Sequence, residues 1–434
     1  MTTLTPSQTK ALTILPKWYH STNRIALLQG GAGTGKTFIL KYFLDGLPNI
    51  KPLVLAPYNE AVKQLELNLG QKYTLKTVCS ALNFCMTTNE DSMVLKQVSE
   101  PELKDYNLLV VDECSTLSEE FLEILENLPI YILFIGHKSQ LPPIESIGIY
   151  DKCIPPVFKK DYLTIDLIEN VRSTGEIHDF CTIAEHLIYS LGVLPSKFKV
   201  SKDKFLKDFL VSQEGVETIF NGTSKFLAYT NKQVNYYNEL SRQAIFGDVS
   251  TDKPYLVDDQ VILFEPTIGF VYALAFNERT IDNIFNKKRN SNTIYTTNTK
   301  GVVKKIALKT VLGINCYELT IKTNHYSNDA VAIFYTPLCA NEYTKLKYKY
   351  HRDASFESNP VKRDSKWQKY SKLNMLFANI KHAYAITVHK AQGSSIKNVL
   401  VCENDIDLCH NNNLKKRLRY VAYSRAQENL YRLF

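Results

Sequence analysis

Ile25-Ala26-Leu27-Leu28-Gln29-Gly30-Gly31-Ala32-Gly33-Thr34-Gly35-Lys36-Thr37 runs from a short apolar strand into a glycine-rich turn, and the helical stretch Phe38-Ile39-Leu40-Lys41-Tyr42-Phe43-Leu44 follows it. Residues 30–37 fit GxxxxGK[ST], and a strand before and a helix after are the context that gives this pattern its meaning. Glycines let consecutive backbone N–H groups fold around phosphate oxygens, and the helix N-terminus adds a favourable field. The cradle is Gly30, Gly33, Thr34 and Gly35; Lys36 reaches the β- and γ-phosphates, and the Thr37 hydroxyl ligates Mg²⁺. The implied cofactors are ATP, or a close relative, and Mg²⁺.

A nucleotide site needs a carboxylate on the metal side. Val110-Val111-Asp112-Glu113-Cys114-Ser115 supplies two at the end of an apolar run. Asp112 would hold Mg²⁺ through its water shell, and Glu113 would orient and deprotonate the attacking water. The runs Ile25–Leu28, Leu53–Ala56, Leu108–Val111 and Ile132–Ile135 lack polar alternation, as parallel strands covered on both faces require. Helical stretches between them predict βαβ units in a doubly wound α/β sheet.

With 434 residues the chain has room for roughly three domains at ~150 residues each. Its 44% hydrophobic and 22% charged residues exclude wholesale disorder and collagen-like architectures. No apolar run approaches ~18 residues, and the N-terminal stretch lacks a charged region ahead of an apolar core, so neither a spanning helix nor a signal peptide is expected. Nine cysteines without a CxxC pair fit small buried hydrophobes in a reducing cytoplasm. The excess of 52 Lys+Arg over 44 Asp+Glu, a net +8, suits a nucleic-acid partner and equally suits simple solubility. The texture changes along the chain. Residues 1–83 and 105–175 read as one α/β domain, and 84–104 as a polar hairpin insertion. Residues 176–250 with 379–434 read as a second α/β domain, and 251–378 as a β-rich insertion within it.

Three further segments decide the type of NTPase. Gly136-His137-Lys138-Ser139-Gln140-Leu141-Pro142-Pro143 resembles the GDxxQLPP motif of superfamily 1 helicases. His389-Lys390-Ala391-Gln392-Gly393-Ser394 and Tyr420-Val421-Ala422-Tyr423-Ser424-Arg425-Ala426 resemble their HKxQGx[ST] and YVAxTRA motifs. The order of motifs, with Leu163-Thr164, Glu169-Asn170-Val171-Arg172-Ser173 and Thr230-Asn231-Lys232, is similar to the RecD-like branch and within it to the Dda-like helicases of phages. The resemblance implies two RecA-like motor domains with ATP between them. It makes Gln140 a γ-phosphate sensor and Arg172 and Arg425 arginine fingers, worth ~10³–10⁵ in rate in analogous NTPases. It also makes Gln8 the residue that reads the adenine edge, and brings Gly393 to the nucleotide. Tyr229 could stack on the base or belong to the core. His137 stands where the family carries Asp, and Cys79 where it usually carries His.

The resemblance further implies a single-stranded DNA track over Pro57, Tyr58, Thr77 and Ser80 on the first half, and Thr230, Asn231, Thr387, His389 and Lys390 on the second. Phe84 and the lysine- and tyrosine-rich run 343–372 interleave stacking rings with positive charge, though such a run is also what a solvated amphipathic face looks like. The 84–104 hairpin takes the place of a strand-separating pin, with its tip expected near Leu95. The reading is therefore an ATP-dependent DNA helicase moving 5′→3′, a monomer acting on single strands and on single-strand/duplex junctions. A single-strand-binding or replication protein is a further implied partner, with no membrane role, in the cytoplasm of a bacterial or phage-infected cell. An RNA-directed translocase of the same superfamily and a nucleotide-gated scaffold remain the alternatives.

Overall fold

A computed structural model describes residues 4–47, 49–89, 92–143, 153–171, 175–248, 252–274, 280–286, 292–325 and 328–434. The chain divides into two compact units. The first comprises Met1–Phe84, Gln97–Tyr237 and Ala385–Phe434, the second Cys85–Lys96 and Asn238–Tyr384.

Strands β1 (Ile25–Gly30), β2 (Pro52–Ala56) and β3 (Thr74–Thr77) of the first unit precede the hairpin strands β4 (Phe84–Asn89) and β5 (Ser92–Gln97), most of which belong to the second unit. Strands β6 (Leu108–Val111), β7 (Tyr131–Gly136) and β8 (Leu163–Leu167) follow. All but the hairpin form one six-stranded sheet in the order β3-β2-β6-β7-β1-β8, and every pairing is parallel. Side chains from β1, β2, β6 and β7 enter two separate cores, one on each face of the sheet. Ala26, Leu28, Leu108, Val110, Leu133 and Ile135 pack beneath the helices Pro6–Tyr19, Lys36–Asp45 and Asn59–Leu69. Leu27, Leu109, Val111, Ile132 and Phe134 pack on the opposite face against Leu122, Leu125 and Val157. Burial on both faces explains the absence of polar alternation in these strands. Because β1 and the carboxylate strand β6 are separated only by β7, their C-terminal ends open into one crevice, where ligands of doubly wound sheets bind.

A second parallel sheet uses β9 (Lys199–Val200), β10 (Ser224–Ala228), and, much later, β18 (Ala385–Thr387), β19 (Ile396–Cys402) and β20 (Ala426–Leu433) in the order β18-β10-β19-β20-β9. Leu227, Val399, Val401 and Leu430 share a core with Phe180, Ala184 and Ile188 of the helix Glu176–Tyr189 and with Leu418 and Val421 of the helix Asn412–Tyr423. The fold class is therefore α/β, two RecA-like doubly wound lobes in one unit.

The second unit holds β11 (Gln260–Leu263), β12 (Thr267–Phe270), β13 (Asn292–Tyr295), β14 (Lys300–Val311), β15 (Ile314–His325), β16 (Asn328–Pro337) and β17 (Ile380–His382). They form a seven-stranded antiparallel sheet, the β-rich insertion of the second lobe. A buried Arg242–Asp259 ion pair, with Tyr384 donating to the same carboxylate at 3.1 Å, closes its base. The 343–372 run is helical: Ala340–Ser355 and Pro360–Leu376 are successive helices. Tyr343, Leu346 and Tyr350, at the spacing of one helix face, pack on the unit's core, and Trp367 lies under His351 at 5.1 Å between ring centroids. Most of the run's aromatics serve packing, which removes them as base-stacking platforms; Tyr348 and Phe356 are exposed.

The hairpin β4–β5 is present, but β4 ends at Asn89 and β5 begins at Ser92. Residues 90 and 91 lie outside the described set, and Leu95 sits mid-strand in β5, so it is not the tip expected from the sequence. The hydrophobic centre Met93-Val94-Leu95 attracts a tip assignment, whereas it lies within the strand β5. Among the described residues no helix is long and apolar enough to cross a membrane.

Phe134 is fully buried at the centre of the first sheet and stacks on Tyr162 at 5.7 Å. Phe134→Ala should cost about 3–5 kcal/mol in urea unfolding followed by circular dichroism; a loss within error would mean this layer is not the core of the lobe.

Candidate active site

The loop after β1 has a shape only glycine tolerates at two points. Gly35 has φ +83°, and a Cβ there would stand 2.7 Å from Gln8 Nε2. A Cβ on Gly30 would stand 2.5 Å from Thr34 Oγ1. Lys36 starts the helix Lys36–Asp45 and donates through Nζ to Gly30 O at 2.8 Å and Gly31 O at 2.9 Å. The outer side of the loop is strapped down by later chain. Val171 N donates to Gly33 O at 2.9 Å, and Asn170 Nδ2 to Ala32 O at 2.8 Å.

Gln8 belongs to this strapping. Its Oε1 accepts from Thr5 N at 3.1 Å in a capping box, and its Nε2 donates to Thr34 O at 3.1 Å. Gln8 is buried, and the residues lining the cavity beyond the loop do not include it. The role seen is to brace the loop, where the sequence suggested contact with the adenine edge.

That cavity, of about 260 Å³, is lined by Gly33, Gly35, Lys36, Thr37, Asp112, Glu113, His137 and Gln140 from the first lobe and Gly393, Tyr420 and Arg425 from the second. Oxygen donors from Thr37 and Asp112 suit a hard divalent cation. Burial, and next the Glu113 carboxylate, push the Asp112 carboxyl up to about 7, a charge conflict that such a cation relieves. Glu113 adopts φ +51°, ψ +35°, a left-handed conformation rare for a residue with a side chain, and its amide donates to Asp112 Oδ1 at 2.9 Å.

The strained carboxylate is held by a chain of hydrogen bonds that crosses between lobes. Gln140 Nε2 donates to Glu113 Oε2 at 2.5 Å, and Gln140 Oε1 accepts from Ser115 Oγ at 3.2 Å and His137 N at 3.1 Å. Gln392 Nε2, from the second lobe, reaches Ser115 Oγ at 3.4 Å. Arg425 is buried and held by oxygens that carry no full charge: Val421 O at 3.1 Å, Ser394 O at 3.1 Å and Ser424 Oγ at 2.9 Å. Its guanidinium keeps its full positive charge available to a phosphate. Arg172, the other expected finger, lies outside the described residues.

Other expected positions scatter. Phe84 is in the core and packs edge-on against Phe121 at 4.9 Å, so no face is left for a base. The hydroxyl of Tyr58 is buried without a hydrogen-bond partner among the described residues, and a Cβ on Gly393 would meet it at 3.4 Å and Glu113 Oε1 at 3.8 Å. Its tip therefore faces the catalytic side rather than a strand above it. Thr230 donates its hydroxyl to Asp405 Oδ1 at 2.7 Å, which takes it away from a phosphate. Tyr229 lies 6.3 Å from the His389 ring and packs against the core of the second lobe.

Thr77 and Thr387, by contrast, occupy matching places. Thr77-Val78-Cys79-Ser80-Ala81 and Thr387-Val388-His389-Lys390-Ala391 each follow the edge strand of a sheet and form one helical turn. Thr77 Oγ1 caps Ser80 N at 3.2 Å, and Thr387 Oγ1 caps Lys390 N at 3.3 Å. Pro57 and His389 are part-exposed and Ser80 is exposed. Asn231 opens the helix Asn231–Phe246. Ser115, Glu185, Gln392 and Tyr420 were not among the expected site residues. Ser115, Gln392 and Tyr420 lie inside quoted motifs, whereas nothing in the local sequence marks Glu185.

Two RecA-like lobes that share one phosphate-binding cavity are the architecture of superfamily 1 helicases, and the chain resembles that superfamily over its whole length. Residues 18–146 match the family described as an AAA domain, and residues 382–431 the UvrD-like helicase C-terminal domain. The ATP-dependent DNA helicase Dda of Enterobacteria phage T4 is 25% identical over 99% of this chain and 98% of its own length. The RecBCD enzyme subunit RecD of Buchnera aphidicola is 22% identical over 94% of this chain and 69% of its own. The Pif1 helicase from Bacteroides, solved with ADP-AlF3 and ssDNA, shares the fold at a TM-score of 0.51 and 14% identity, covering 100% of this chain and 92% of that one. The Pif1 helicase from Candida albicans gives 0.50 at 16% identity, covering 100% and 94%.

Glu113→Gln keeps the hydrogen bond from Gln140 but removes the base. Steady-state turnover of ATP should fall ~10²–10⁴-fold while nucleotide affinity, read by a fluorescent analogue, holds; turnover near the wild-type level would assign the base elsewhere.

Proposed function

We propose that this chain is an ATP-driven DNA helicase that moves along single-stranded DNA, 5′→3′, and separates duplex strands. The observation that carries the reading is the hydrogen-bonded path from Glu113 through Gln140 and Ser115 to Gln392, together with Arg425 in the same cavity. A phosphate-binding protein with no motor function has no need of a second lobe wired to its catalytic carboxylate.

In this reading Lys36 and Arg425 neutralise the γ-phosphate from opposite lobes as charge develops in the transition state. Thr37 and Asp112 hold Mg²⁺, which when bound neutralises charge between the β- and γ-phosphates. Glu113 orients the attacking water and takes its proton, and Gln140 reports that event to Ser115 and Gln392. Binding of ATP draws the lobes together and hydrolysis releases them, so two grips on the strand alternate. Those grips are the matched turns Thr77–Ser80 and Thr387–Lys390 with Pro57, His389 and Asn231. Hydroxyls at both turns, with Lys390 at the second, suit phosphate oxygens. The polarity rests on resemblance to Dda, solved relatives named as single-strand binders support the DNA partner, and by the same resemblance the hairpin β4–β5 would be the strand-separating pin.

The domain scheme follows: motor domains at 1–83 with 105–175 and at 176–250 with 379–434, the pin at 84–104 and the β-rich insertion at 251–378. We further propose that the protein acts as a monomer in the cytoplasm of a bacterial or phage-infected cell, beside a single-strand-binding or replication protein.

Short single-stranded DNA should raise ATP turnover at least ~10-fold, and Lys36→Ala should abolish turnover while keeping strand affinity within about tenfold. Duplexes with 5′ or 3′ tails then give the polarity. Stronger stimulation by RNA of equal length would move the reading to an RNA translocase; indifference to both nucleic acids would sink the motor reading.

A further inference from the structure

His137 begins the loop after β7, and its two ring nitrogens are unequally used. Nε2 lies 3.2 Å from Glu185 Oε1, on the helix Glu176–Tyr189 of the second lobe. Nδ1 is buried and has no hydrogen-bond partner among the described residues, although the side chain lines the cavity with Lys36, Glu113 and Gln140. Burial, and then the Lys36, Lys138 and Arg417 cations, hold the ring down at about 3, so it is neutral. A neutral ring beside a carboxylate oxygen keeps its one proton on the nitrogen that faces the carboxylate. Nδ1 is then a hydrogen-bond acceptor without a partner among the described residues, on a ring that lines the phosphate-binding cavity.

Glu185 is itself fixed from both lobes. Ser139 Oγ donates to its Oε1 at 3.1 Å, and the Tyr420 hydroxyl bonds to the same carboxylate. Ala32 N, in the phosphate loop, donates to Tyr420 OH at 3.5 Å. The carboxylate that sets the His137 tautomer thus comes from the opposite lobe, and it stays in reach only while the lobes are together.

Resting on the proposed hydrolysis at this site, we propose that His137 holds a water beside the γ-phosphate through Nδ1, and that Glu185 is a positioning residue acting through His137 to make that contact depend on lobe closure. An aspartate at position 137 would accept such a hydrogen bond unaided. A histidine is an acceptor at Nδ1 only when something holds its proton at Nε2, and here the other lobe does so.

The test uses the full-length chain and steady-state ATP hydrolysis with saturating single-stranded DNA, with thermal melts confirming that each variant folds. His137→Phe and Glu185→Ala should each lower kcat ~10-fold or more, with KM for ATP within ~3-fold. The double variant should lose far less than the product of the single losses, since one residue acts through the other. Glu185→Gln, whose amide oxygen still accepts from Nε2–H, should recover most of the activity. A multiplicative double variant, or losses confined to KM, would overturn the proposal. ¹⁵N chemical shifts of the His137 ring decide the pair without any turnover: an Nε2–H tautomer is expected, and an Nδ1–H tautomer overturns it. A wild-type chain that hydrolyses no ATP but shows the Nε2–H tautomer would refute the function while leaving the His137–Glu185 pair standing.

Discussion

Glu113 stands in a backbone conformation that costs energy, and the side chain that holds it there, Gln140, is also the side chain through which the opposite lobe is felt. The donors run in one direction, from Gln392 to Ser115, from Ser115 to Gln140, from Gln140 to Glu113. A chain of this kind polarises along its length, so each bond strengthens the next. Displacing the second lobe removes the first donor and leaves the buried Ser115 hydroxyl underused, which weakens the hold on the carboxylate. Local strain at one residue and the position of a whole lobe are thereby coupled.

The charges around the cavity fit the same constraint. Asp112 is half-buried beside Glu113, and Lys36 folds back on loop carbonyls, while Arg425 is secured by neutral oxygens rather than by a carboxylate. Buried charges of both signs are tolerated when a ligand completes them. Triphosphate supplies the anion that Lys36 and Arg425 would face, and a divalent cation the charge that Asp112 would face. Glycine at positions 30 and 35 lets Thr34 and Gln8 approach the loop closely, which fixes its shape before any ligand arrives.

Much of this was legible in the sequence where the signal is local. Continuous apolar runs become strands because both faces of each sheet are covered, and the glycine pattern becomes a cradle because a strand and a helix flank it. Asp112, Glu113, Gln140 and Arg425 sit in motifs whose resemblance to helicase motifs puts them at one nucleotide site, and they line one cavity. What the sequence hid depends on contacts between distant segments. Glu185 meets His137 across the lobes with no mark in its own neighbourhood. Phe84 and Tyr58 look like stacking rings in one dimension, yet the first is needed by the core and the second points inward. Leu95 was misplaced because a short hydrophobic run draws a tip assignment, whereas it forms the middle of a strand.

The central claim is that nucleotide brings the two lobes of the first unit together. Donor and acceptor dyes on exposed positions of the two lobes would read their separation in full-length protein, with and without a non-hydrolysable ATP analogue, on single-stranded DNA. The account predicts a shorter separation with the analogue, lost in Lys36→Ala. An unchanged separation in a protein that still hydrolyses ATP would contradict it.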